Sequence, residues 1–427
     1  MKLTRYREFD SFSPQQGVRL LAYQSERFKT IRARVHLLEP IQPQVVTENS
    51  LLSRVMGVGT ENHPTRRDIA RACEELYGAA MFVGVTRYAD VQSVVASVDF
   101  PADRFLPKGS KELEHALSLL TELLTRPALN DDASALRADS FEREKYQLEN
   151  DLRALRDDKP SWAALQATKR IYAGTPAAIY EHGDPAELNK ITAESLLTRQ
   201  RSLIRNARVM AFVTGPVQPL HALSVLADKL TLPRNRRVSL PPPVKLRNHR
   251  EVHRCADKGQ GGQTHLVFTW SGGDVYGSPG YAPMLYADAL LGGYGMNRLF
   301  KVVREEHGLA YSIGSSYHRA RGSIVAQASV SPKKTTQALN LIRREFANLQ
   351  TKGFTEAEFD AVRESLIEDR KASWDSQSTR IGDAVFQNVL GFRQTLEKQL
   401  RDIRKTTPGQ VQAMLKRLKP HTEYLLG

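Results

Sequence analysis

Apolar positions along this chain fall into stretches of period 3.6 and stretches of period 2. Leu117, Leu120, Leu123 and Leu124 form a helical stripe in a run that starts at Glu114. A proline-containing break follows, and a longer charged segment then carries Phe141, Leu148, Leu152 and Leu155. The same succession recurs later in the chain. Leu339, Ile342, Phe346 and Leu349 mark one helix, and Lys352-Gly353 ends it. Thr355 to Glu358 reads as a capping box opening the next helix, whose apolar face is Phe359, Val362, Leu366 and Ile367. Ahead of each helix pair lie two β-rich runs around a polar turn, Met81–Phe100 and Leu309–Ser331, which predict antiparallel hairpins. Arg208–Pro216 and His265–Trp270 are further short strands. Further upstream, Thr47–Thr60 parallels Tyr286–Phe300.

Strands and helices are abundant without regular β-α-β alternation, which predicts the α+β class. The repeated order of elements predicts two tandem homologous domains, each an antiparallel or mixed sheet with helices packed on one side. The composition breaks at Leu232–Arg250, where Pro241, Pro242 and Pro243 stand in a row flanked by Arg234, Arg236, Arg237, Lys245, Arg247 and Arg250. Consecutive prolines favour an extended, semi-rigid backbone. The expected organisation is therefore a first domain over 1–231, a linker over 232–250 and a second domain over 251–427.

Composition narrows the function. The 427 residues are 41% hydrophobic and 25% charged, ordinary globular values. A formal charge of +14 admits an acidic partner. Nucleic acid is not expected: the basic residues are dispersed and aromatics are only 7%. No apolar run approaches the length of a membrane span, and Met1–Gly17 shows no secretory pattern. Two cysteines, Cys73 and Cys255, neither near another, argue for a reducing cytoplasm and against a thiolate zinc site. His249 and His253, in the run HREVH, lead into a strand, where four residues span ~13 Å, too far to share one ion.

The stretch LLGGYGMNRLFKVVREEHGLAYSIGSSY, Leu290 to Tyr317, resembles the carboxy-terminal repeat signature of the insulinase/pitrilysin (M16) family of zinc peptidases. Gly59–Ala79 (GTENHPTRRDIARACEELYGA) is similar to the family's segment after its metal helix, and Ile171–Ile191 to another family run. The family's zinc site needs His-x-x-Glu-His just before that Gly-Thr: two ligand histidines one helical turn apart and a glutamate base between them. Laid through Gly59-Thr60, the motif falls on Ser50, Leu51, Leu52, Ser53 and Arg54. Both histidines and the base are missing. Downstream Glu144 remains, and the third ligand position is Asp151. Zinc wants three protein ligands and an open position, so no metal and no cofactor is expected on this chain, and no peptidase activity alone.

The resemblance also implies that Arg304 and Tyr311 match an Arg/Tyr pair that reaches the substrate carbonyl. The implied role is that of the non-catalytic subunit of a heterodimeric zinc peptidase, with zinc on a homologous partner, two chains closing around a chamber, and peptide as substrate. Met81–Val85 lacks the Asn-Ala pair of the family's substrate-binding edge strand. A homodimer, or a purely structural or peptide-binding scaffold of the same fold, is the alternative. Read without the resemblance, strand alternation puts Tyr311 on the face of Leu309 and Ile313 as a packed side chain, and Arg304 pairs with Glu305 or Glu306 on a helix surface. Gly292-Gly293-Tyr294-Gly295 lacks the spacing of a phosphate-binding loop.

Overall fold

The computed structural model describes residues 3–107, 109–233, 239–246, 251–259 and 261–427. Arg234, Arg236, Arg237, Arg247, His249 and Arg250 of the linker region lie outside the described residues. In the first half the order is β1 (Thr4–Tyr6), β2 (Phe9–Gln15), β3 (Val18–Gln24), β4 (Thr30–Pro40), α1 (Pro43–Met56), α2 (Arg66–Glu75), β5 (Ala80–Tyr88), β6 (Val91–Pro101), α3 (Glu112–Thr125), α4 (Ala138–Ala154), α5 (Lys159–Ile171), α6 (Pro185–Leu188), α7 (Ala193–Asn206), β7 (Arg208–Gly215) and α8 (Pro219–Lys229). The second half continues with β8 (His253–Asp257), β9 (Thr264–Ser271) and α9 (Tyr281–Asp288). α9 runs on through a wide π-helical turn at Ala289–Gly293, and a second π-helical segment spans Leu299–Glu306. Then follow β10 (Ala310–His318), β11 (Ser323–Val330), α10 (Thr335–Thr351), α11 (Glu356–Ser373), α12 (Gln377–Leu390), α13 (Leu396–Lys405), α14 (Pro408–Arg417) and β12 (Lys419–Leu426).

Both predicted hairpins form, as β5–β6 and β10–β11. Thr355 caps α11 through the full reciprocal box with Glu358. The chain divides into two compact units, and neither is continuous in sequence. One holds Met1–Arg153, Ile179–Pro242 and Arg380–Val389; the other holds Ala154–Ala178, Pro243–Thr379 and Leu390–Gly427.

In the first unit a seven-stranded mixed sheet has the order β1-β2-β3-β7-β4-β6-β5, and only β3–β7 is parallel. Strand alternation sorts its residues onto two faces. Ile31, Ala33, Val35 and Leu37 of β4 join Val94, Ala96, Val98 and Phe100 of β6 beneath the helices α1, α3, α4, α7 and α8. The opposite set, including Phe9, Leu21, Leu38, Val91 and Phe212, meets Ile381, Ala384, Val385 and Val389 of α12. The second unit repeats the plan with five strands, β10-β11-β9-β12-β8, with β8–β12 parallel. Leu266, Phe268 and Trp270 of β9 lie beneath α9, α10, α11 and α14. On the other face, Val267, Val325, Tyr424 and Leu426 pack on Ala163 and Ala167 of α5.

The α+β class and the tandem likeness therefore hold. The structure adds a helix on the second face of each sheet, supplied by the opposite half of the sequence. Each fully buried Leu, Ile or Phe in these layers is worth about 1.5–3 kcal/mol. Among the described residues, no helix is long and apolar enough to cross a membrane.

Candidate functional site: a closed metal position and an exposed Arg/Tyr edge

α1 begins on Pro43 and carries positions 50, 53 and 54 on the turns that lead to Gly57. Ser50 and Ser53 are buried, and backbone carbonyls take both hydroxyls. Ser53 Oγ donates to the Ser50 carbonyl at 2.9 Å, and Ser50 Oγ donates to the Glu181 carbonyl at 3.4 Å. Arg54 turns the other way. Its Nη2 donates to Asp151 Oδ2 of α4 at 2.6 Å, and Gln147 donates to the other carboxylate oxygen at 3.2 Å. Arg54 of α1 and Asp151 of α4 thus meet, and a guanidinium neutralises the carboxylate.

Two neighbours escaped the sequence reading. The loop after α5 brings Glu181 and His182 against α1, and Tyr180 stands edge-on to His182 at 5.2 Å. Burial pushes the imidazole of His182 below its ordinary range; Glu181 and Asp151 oppose this and Arg54 adds to it. The only sequence signal for this loop was the run IYEHGDP. Glu144 is buried and tied to Arg66 at 2.6 Å and Arg143 at 3.3 Å. Among the described residues no three His, Cys, Asp or Glu side chains converge as a metal site would require. The residues present do not fit zinc: two hydroxyls spent on carbonyls, one cation and one paired aspartate stand where three ligands and a base would be needed.

The second unit carries the other candidate residues. α9 and its π-helical extension end at Gly292-Gly293. Neither glycine has room for a side chain: an added Cβ would lie 2.6 Å from Ser315 N at Gly292 and 2.6 Å from Asp288 Oδ2 at Gly293. Close approach to the strand at Gly292 and to the Asp288 carboxylate at Gly293, rather than phosphate binding, accounts for the pair. Asn297 then pins the loop. Its side chain donates to the Gly292 carbonyl at 3.2 Å and to the Tyr294 carbonyl, and it accepts from Phe300 N at 2.7 Å. The segment Leu299–Glu306 buries Leu299 and Val303 and leaves Arg304 exposed. Arg304 lies over the Phe300 ring at 4.9 Å and reaches Glu305 at 3.5 Å. Gly308, at φ +57°, closes the segment and returns the chain to β10.

Tyr311 is not packed beside Leu309 and Ile313, which corrects the alternation argument. Register along β10–β11 steps from Ala310↔Val330 to Ser312↔Ser329, so Tyr311 is the extra residue of a β-bulge. A bulge breaks period 2 and re-aims one side chain. Tyr311 is 64% exposed while Leu309 is buried. β10 is also an edge strand. Arg304 and Tyr311 thus stand exposed on adjoining elements of one unit, both able to donate hydrogen bonds.

Residues 190–366 match the family described as the peptidase M16 inactive domain. The chain is 25% identical over 344 residues to the probable inactive metalloprotease YmfF of Bacillus subtilis (strain 168), covering 81% of this chain and 80% of that one. The chain is similar to M16 proteins. A second B. subtilis protein, the uncharacterized zinc protease YmxG, is 25% identical over 160 residues, 36% of this chain and 39% of that one. Among solved structures, a conserved protein from Enterococcus faecalis V583 superposes with a TM-score of 0.89 at 24% identity, covering 98% of both chains. A peptidase M16 inactive domain from Pseudomonas fluorescens superposes at 0.81 with 21% identity, also over 98% of both. These two likenesses establish the fold. At the positions where the sequence resemblance put a metal site, Arg54 and Asp151 form an ion pair.

Proposed function

We propose that this chain is the non-catalytic subunit of a heterodimeric zinc peptidase, presenting Arg304 and Tyr311 to a peptide held at a partner's metal. The observation that carries the reading is the contrast between the two candidate sites. At positions 50, 53, 54 and 151 the polar groups are spent on backbone carbonyls and on the Arg54–Asp151 pair. At 304 and 311 two donors stand exposed on a braced edge, one of them aimed outward by a bulge. A phenol and a guanidinium are donors that suit the carbonyl oxygen of a peptide bond as charge builds on it. The partner's zinc would supply the activated water. That relatives in one organism include one named inactive and one named a zinc protease is in keeping with divided labour. The location proposed is the cytoplasm, consistent with two free cysteines.

The test is reconstitution with a zinc-bearing M16 homologue from the same genome. Hydrolysis of a quenched fluorescent peptide by the mixture, absent from this chain alone and lost with Tyr311→Phe at unchanged assembly, is the expected result. Equal turnover with Tyr311→Phe and Arg304→Ala would leave the scaffold reading in its place.

A further inference from the structure

Asp288 sits where α9 passes into its π-helical turn, and the proposed chemistry makes no use of it. Its carboxylate faces β10. Oδ1 accepts from Ser315 Oγ at 2.6 Å, and Oδ2 accepts from the backbone N–H of Tyr317 at 3.0 Å. Ser315 Oγ also lies 3.3 Å from the Asp288 carbonyl. β10 is an edge strand, so a side chain here takes up a main-chain donor on that strand. Gly292 and Gly293 are without side chains at this same contact. The α9 extension leads directly to the segment bearing Arg304, and β10 bears Tyr311.

We infer that Asp288 is a positioning residue that clasps the Tyr311 strand to the helix leading to Arg304, so that its protonation state sets the alignment of the pair. This rests on the functional reading of Arg304 and Tyr311 given above, although the clasp itself can be tested without it.

The surroundings favour a group that changes state under mild acid. Burial pushes the Asp288 carboxyl up to about 6, and the Ser315 and Tyr317 donors oppose the rise. From β10 the titratable neighbour is Tyr317, whose phenol is raised far out of range by burial and by Tyr281, Asp274 and Asp288 itself, with Arg319 opposing. From α11, Arg363 and Asp360 act on Tyr286, two residues before Asp288. No cation forms an ion pair with Asp288 among the described contacts. A proton therefore removes the charge that strengthens both bonds, and the Ser315 hydroxyl must turn to accept from Oδ1–H.

The experiment places a fluorinated tyrosine analogue at position 311 and follows its 19F shift from pH 4.5 to 8 in the full chain. The expected curve has an inflection near pH 6 that disappears in Asp288→Asn and moves to higher pH in Ser315→Ala, which removes a donor to the carboxylate. An inflection that survives unchanged in Asp288→Asn would overturn the inference, as would a flat wild-type curve. If Asp288→Asn does not fold, the Ser315→Ala shift decides. In the reconstituted peptidase, Asp288→Asn should lower kcat and remove the same inflection from the pH–rate profile. Loss of the 19F inflection with Tyr311→Phe fully active would uphold the clasp while rejecting the peptidase reading.

Discussion

Arg7 and Asp383, at opposite ends of the sequence, form an ion pair at 3.0 Å with only 2% of either side chain exposed. Beside it Glu8 pairs with Arg380 at 2.7 Å. Two adjacent charges of opposite sign in the β1–β2 turn thus match two charges one turn apart on α12, and they fix the register of that helix on the first sheet. Arg7 holds φ +60°, a conformation non-glycine residues rarely adopt. Asp383→Ala would take this carboxylate from a buried guanidinium and should cost about 3–5 kcal/mol, read as a lower urea midpoint. Replacing both partners, Arg7→Met with Asp383→Leu, should cost much less. Equal losses would mean that packing, not charge, seats the helix.

The Arg54–Asp151 pair behaves differently because both side chains reach solvent, at 29% and 48% exposure. Either alanine substitution should change stability by less than about 1 kcal/mol. The combined variant Ser50→His, Ser53→Glu, Arg54→His and Asp151→Glu puts two histidines one turn apart opposite a carboxylate. One zinc per chain by elemental analysis is the expected outcome, against none in the parent.

Acid should weaken the protein through His36. This imidazole on β4 is buried, bonded through Nδ1 to Ser93 Oγ at 3.1 Å, and burial lowers its pKa to about 3, with Arg34 adding to the effect. Its folded pKa lies below the unfolded value, so below about pH 6.5 the unfolded chain binds more protons. Stability is full above that pH and falls as the pH drops toward 3. Between pH 7 and pH 5 the loss should be of order 2 kcal/mol. His36→Gln should flatten that slope in chemical denaturation at a series of pH values. Asp288 works in the opposite sense: its raised folded pKa makes the protein less stable as pH rises from 3.8 toward 6.

Gly292→Ala should cost about 1–3 kcal/mol, since its Cβ would meet the Ser315 backbone at 2.6 Å. Gly295→Ala, with nothing within 4 Å of the added carbon, is the matched control and should be nearly neutral in a thermal melt.

Much of this fold was legible because its elements are locally consistent. The leucine stripe of α3, the capping box at Thr355 and the two hairpins all announce themselves within a dozen residues. The second-face helices do not. The apolar stripes of α5 and α12 say that each is buried, yet nothing local says against which sheet. Likewise the meeting of Arg7 with Asp383 has no local signature. Positions 50–54 could be singled out from Gly59-Thr60, and Asp151 from the helix downstream. That Arg54 would reach Asp151, and that His182 would join them, needed the loop after α5 in place. Tyr311 was misjudged by alternation because a single bulged residue leaves no trace in the pattern of polar and apolar positions.

The helix supplied by residues 377–390 has a consequence for synthesis. While the ribosome works through the middle of the message, the first sheet is complete in its strands, yet Phe9, Leu21 and Phe212 stay bare to solvent. They are covered only when translation has passed Val389. A nascent chain stalled before that point would display a greasy sheet to every chaperone and protease in reach, so premature termination late in the gene should yield aggregates rather than a functional half.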